Sequence, residues 1–134
     1  AERAVVGLES VKTQLSALLA RSDEEAATMV REMLAELQRP KAARSLERLA
    51  QAWANRDLKD LEKYPEWCDC LNTPTERQAY ARLVDDRNPG LADAIDRLHA
   101  NVSVFAAVGA LHMVGAQGLP ALLQAKGFKV QRVF

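Results

Sequence analysis

The chain contains two histidines, and one of them, His112, stands where an imidazole can meet a ligand. It lies in the run Val102-Ser103-Val104-Phe105-Ala106-Ala107-Val108-Gly109-Ala110-Leu111-His112-Met113-Val114-Gly115. It is the only strongly polar side chain between Ser103 and Gln117. The β-branched and small apolar residues before it, bounded by glycine, read as a strand buried on both faces. Open α/β sheets gather ligand-binding groups just past the carboxyl ends of their strands. Gly109 and Gly115 remove bulk on either side, so backbone or ligand can approach closely. A core histidine satisfied by a backbone carbonyl is the plainer alternative.

Two further groups belong with it. Ala4-Val5-Val6-Gly7-Leu8-Glu9 reads as a short apolar strand ending on a carboxylate. If that strand runs parallel to the one before His112, Glu9 and His112 emerge on the same edge of the sheet. The alternative for Glu9 is a solvated loop start or a helix first turn. Asp85-Asp86-Arg87-Asn88 offers a guanidinium and an amide. Their plain readings are a surface ion pair for Arg87 and a helix N-cap for Asn88.

The elements that must position these groups are mostly helical. Ser10 caps a helix carrying Val11, Leu15, Leu18 and Leu19 at helical spacing. Ser22-Asp23-Glu24-Glu25 is a capping box, followed by a stripe of Met29, Val30, Met33, Leu34 and Leu37. Pro40 breaks that helix, and the next carries Ala42, Leu46, Leu49, Ala50 and Trp53. Residues 57–73 read as a short helix and an irregular loop. Thr73-Pro74-Thr75-Glu76 and Asn88-Pro89 each open a further helix. Leu119 to Lys126 makes one more, ended by Gly127. Phe128-Lys129-Val130-Gln131-Arg132-Val133 alternates as a half-exposed strand does.

The expected fold is therefore α/β. A small, mostly parallel sheet of about three strands carries several helices. The 134 residues form one domain that belongs to a larger, split one. Its parts are a strand over 3–9, a helical region over 10–100 and a strand–helix–strand unit over 101–134. The first strand has no nearby partner, so its neighbours come from far along the chain or from outside it. Self-association through this unpaired strand is one expectation that follows.

Composition narrows the function. Apolar residues make up 49% and charged residues 27%, enough for a packed core. Lys+Arg and Asp+Glu balance at 18 each, so no basic surplus points to nucleic acid. No apolar run is long enough to span a bilayer, and no signal peptide is read in these residues. Dinucleotide and phosphate-loop glycine patterns are absent, as is a nucleophile elbow. Cys68 and Cys70 form no recognisable metal set. Separate thiols are the expectation there, because so short a bridge is hard to close.

Val6-Gly7-Leu8-Glu9-Ser10, Asp86-Arg87-Asn88, Ala107 through Gly115, and Gly118-Leu119 through Gly127-Phe128 together resemble the TraB/GumN family, in order and spacing across the whole chain. The Gly-x-x-His of Gly109–His112, followed by Gly115, is the most specific piece. The family includes the Tiki proteins, described as metal-dependent proteases. The resemblance implies two Gly-x-x-His motifs, an acidic residue and an arginine. The second motif falls on Gly109 and His112, the acid on Glu9, and the Arg-Asn pair on Arg87 and Asn88. The first motif has no counterpart here, since His99 lacks the preceding glycine. The chain thus resembles the carboxyl-terminal part of a family member, with an amino-terminal half as its partner.

The chemistry implied is metal-dependent hydrolysis of a peptide or protein substrate. His112 and Glu9 would be ligands of manganese, cobalt or zinc, with Glu9 alternatively a general base. Arg87 would hold an oxyanion or a substrate carboxylate. One imidazole and one carboxylate would bind such an ion weakly. Family resemblance also implies an exported, periplasmic or membrane-associated setting. A noncatalytic binding module, gripping a partner through Trp53, Trp67, Tyr64 and the methionine stripe, is the other reading.

Overall fold

Helix signals in the sequence translate directly into helices in the computed structural model, which describes residues 4–38 and 41–133. Ser10 accepts from the Thr13 amide and starts α1 (Val11–Leu18). Ser22 does the same for α2 (Asp23–Leu37) through the Glu25 amide, with three acidic residues in the first turn facing the helix dipole. Next come α3 (Lys41–Ala54), α4 (Leu58–Glu62) and α5 (Tyr64–Trp67). Thr73 and Glu76 close a reciprocal capping box with Pro74 as the first residue of α6 (Pro74–Leu83). Helix α7 (Asn88–His99) and, after a 3₁₀ turn over Ala110–Met113, α8 (Leu119–Ala125) complete the order. The break assigned to Pro40, the side chain of Ala42 and the first residue of the expected strand 3–9 lie outside the described residues.

The α/β expectation is overturned: among the described residues there is no strand and no sheet. The three segments read as strands, 4–9, 103–109 and 128–133, are non-helical. No backbone hydrogen bond joins any two of them. Alternation and β-branching set the local backbone, but pairing needs a neighbour within hydrogen-bond reach. Val5 is 99% and Phe105 92% exposed, so these apolar side chains face solvent rather than a second layer. The parallel sheet and its strand–helix–strand unit thus reduce to α8 flanked by non-helical chain.

What core there is lies between α7 and α8. Leu91, Ala92 and Ile95 bury one face of α7 against Leu119, with Leu8, Val108, Leu122 and Leu123 packed around them. Leu8 precedes Glu9 and Val108 precedes Gly109, so this cluster anchors both chain segments that carry the candidate site. Helix α2 is tied on separately: Arg82, 6% exposed, donates from Nη1 to Glu25 at 2.5 Å. Contrary to the expectation of separate thiols, Cys68 and Cys70 form a disulfide with Cα atoms 5.1 Å apart.

Candidate functional site

Three features fix His112 in place. The turn Ala110–Met113 presents it, with its own amide donating to the Gly109 carbonyl at 3.0 Å. Gly115 holds a positive φ of 78° that a side chain would strain. Gly118 packs onto the preceding turn: a Cβ there would lie 2.5 Å from the Val114 carbonyl oxygen. The 114–118 loop is therefore shut tightly onto the start of α8.

Asn88 then orients the ring. It is not the N-cap that the Asn-Pro pair suggested. It is the first residue of α7, has no capping bond, and is 1% exposed. Its Nδ2 donates to the Gln117 carbonyl at 2.7 Å, and its Oδ1 lies 2.6 Å from His112 Nδ1. A carbonyl only accepts, so Gln117 fixes which end of the amide is which. Oδ1 must then accept, and Nδ1 of His112 carries the proton. In the neutral ring Nε2 is left bare, as a base or as a ligand. The plainer reading of His112 is thus half right: the ring is satisfied inside the fold, by a side chain, through one nitrogen only.

Glu9 and Arg87 form the second pair. Arg87 donates from Nε to Glu9 Oε2 at 3.1 Å and from Nη2 to Oε1, a two-pronged grip. Its Nη1 donates to the Leu83 carbonyl at 2.7 Å. Gln14 Nε2 donates to Glu9 at 3.1 Å. Both side chains are mostly buried, so neither the surface ion pair nor the solvated loop start applies. Of the five guanidinium N–H groups, one each on Nη1 and Nη2 has no bond to the described residues.

Charge and burial set the ionisation states. The Arg87 hydrogen bonds hold the Glu9 carboxyl below the usual carboxylate range, with Gln14 and the nearby His112 acting the same way against burial. Burial pushes the His112 imidazole below its ordinary value, and the Arg87 charge pushes it further, against the pull of Glu9 and Asp85. His112 is therefore neutral near pH 7, with Nε2 unprotonated. Asp85 goes the other way, raised first by burial and then by Asp86. It was not singled out from the sequence. Its only signal there was adjacency to Asp86 and Arg87, which looked like a surface charge run.

The structure thus brings Glu9, Arg87, Asn88 and His112 together, not from the tips of paired strands but from a bend, the start of α7 and a 3₁₀ turn. Gly109 and Gly115 flank the group. The remaining histidine, His99, packs tilted against Phe128 with ring centres 5.2 Å apart and takes no part. Beside His112 opens a cleft of about 540 Å³, walled largely by α3, Val84 and residues 108–111.

A model of the TraB/PrgY/gumN family matches residues 1–132 of this sequence. The chain belongs to the TraB/PrgY/gumN family. No curated protein and no solved structure matched it. The family match spans all four grouped residues and the glycines around them.

A divalent ion fits this donor set poorly. Among the described residues no group of three His, Cys, Asp or Glu side chains stands close enough to share an ion. Both Glu9 oxygens already accept from Arg87. Nε2 of His112 is the one ready donor. Among the described residues, no helix is long and apolar enough to cross a membrane.

Proposed function

We propose that this chain carries the carboxyl-terminal part of the site of a hydrolase acting on peptide bonds. Its reacting group is Nε2 of His112. What supports the reading most is the Asn88 hydrogen bond, which leaves that nitrogen bare and aimed by a buried amide. Nε2 accepts the proton of a water that attacks a carbonyl. The two spare N–H groups of Arg87 face the negative charge that develops on the carbonyl oxygen. Glu9 keeps Arg87 in place and favours the imidazolium that forms.

If the metal expected from the resemblance, manganese, cobalt or zinc, is bound, Nε2 of His112 would be its ligand in place of the base role, since Nδ1 is held by Asn88. Its other ligands would come from a complementary half or a second copy of the chain. The exposed surface supports such a partner. The chain exposes 9895 Å², whereas a folded monomer of this mass exposes about 7,000 Å². A surplus of about 2,900 Å² on one chain reaches the upper end of what each partner buries in a large obligate interface. Calorimetric titration of the full-length protein with each ion tests this, and affinity unchanged in His112→Ala would take His112 out of the metal site. A mass by light scattering equal to one chain at high concentration would remove the second copy.

The binding-module reading keeps one observation in its favour. Val30, Met33, Leu34 and Leu37 line one exposed face of α2. Tyr64 and Trp67 no longer support it. They pack edge to face at 5.1 Å, with Trp67 bonded to the Asp60 carbonyl and Arg48 over its ring. A purified family protein that binds peptide but never cleaves it, with any of the three ions, would favour this reading.

A further inference from the structure

We propose that the cleft beside His112 is the subsite for a bulky apolar side chain of the peptide substrate, leucine, phenylalanine or larger; this rests on the peptide reading of the site above. The walls are Leu46, Leu49 and Trp53 of α3, with Val84, Val108 and Leu111 opposite. His112 is the only ionisable group in the lining. A charged or strongly polar occupant would therefore lose its hydration without gaining a partner. Water in such a space finds few groups to bond, so an apolar occupant displaces it favourably. The volume of about 540 Å³ falls among ordinary ligand sites and exceeds what an alanine would fill. Gly109 adds no side chain to the rim, which leaves the mouth open toward the imidazole.

The occupant is a peptide rather than a free acyl chain for a second reason. Residues 103–108, which run into the cleft at Val108, donate no backbone hydrogen bond to another described backbone group. A peptide laid along them pairs main chain to main chain. Its side chain then drops between α3 and Val108, and its next carbonyl comes toward His112. A fatty chain would use the cleft but gain nothing from those N–H groups, which it would leave to water.

The test is direct binding with metal chelated and the peptides confirmed intact afterwards, followed by a separate cleavage assay with each ion restored. The full-length protein is titrated by calorimetry with acetyl-Gly-Leu-Phe-Gly-amide and acetyl-Gly-Ala-Ala-Gly-amide. The apolar peptide is expected to bind at least tenfold tighter. Leu49→Asp and Trp53→Ser are each expected to weaken it at least fivefold and leave the alanine peptide unchanged. Trp53 is 66% exposed, so its replacement leaves the fold intact even if the Leu49 variant does not fold. Equal affinity for the two peptides, no binding of either, or wild-type affinity in Trp53→Ser overturns the proposal. If discrimination holds but no ion supports cleavage, the hydrolase reading alone fails. If both peptides are cleaved equally, the subsite alone fails.

Discussion

The two ends of this molecule are built on different terms. Around α7 and α8, four side chains share a buried cluster and two polar pairs lock onto it. Helix α2, more than twice the length of α8, buries none of its residues, and Leu37 at its end is 81% exposed. It touches α6 through Glu25 and Arg82 and otherwise shows its apolar face to water. The contrast teaches that packing holds the site in place, whereas the helical arm leaves its apolar residues at the surface. Packing fixes His112, and the arm's stripe is the kind of exposed apolar surface on which partners dock in other proteins.

Substitutions can break that contrast. The largest effect is expected at Leu119, 2% exposed. Leu119→Ala should cost about 2–5 kcal/mol in denaturant unfolding, and an effect under about 1 kcal/mol would mean the α7–α8 cluster is no core. Asn88→Ala comes next. It strands the Gln117 carbonyl and His112 Nδ1, at about 1–3 kcal/mol. It should also release the tautomer, seen as mixed Nδ1 and Nε2 protonation by nitrogen NMR.

A third prediction concerns acid. His112 has a folded pKa below its unfolded value near 6.5, so the unfolded chain binds that proton first. Stability is full above about pH 6.5 and falls as pH drops through the folded value. Glu9 is also depressed, and its contribution is lost at lower pH, below about 4.3. Chemical denaturation across pH should show both losses. Asn88→Asp places a negative charge beside Nδ1–H, should raise the His112 midpoint, and should shrink or reverse the first loss, because the gap to the unfolded value closes. A midpoint that stays put would mean Asn88 does not face the ring. The smallest effect belongs to the arm: Met33→Ala, at 64% exposure, should change the isolated chain's stability by under about 0.5 kcal/mol. The same change should weaken any assembly that covers α2.

Local chemistry was legible in the sequence and distant partners were not. Ser10, Ser22, Thr73 and Pro74 announce their helices because a cap and its amide sit within three residues. Segments 103–109 and 128–133 announce non-helical chain for the same reason, yet nothing local says whether another segment will pair with it. Asn88 beside Pro89 imitates a cap, while its real partners lie 24 and 29 residues away. Glu9 was singled out at a strand tip and Arg87 in a short charged cluster, and the family resemblance took up both, but their mutual grip spans 78 positions. Arg82 gave no signal at all, since nothing in its neighbourhood of sequence marks a guanidinium that will be buried against α2.

Gly118 carries a consequence for motion. Because one extra carbon would strike the main chain of Val114, the loop behind the imidazole has no slack. A small tilt of the last helix is therefore passed on to the ring as a lever passes on a push, and anything that grips α8 from outside also steers the imidazole.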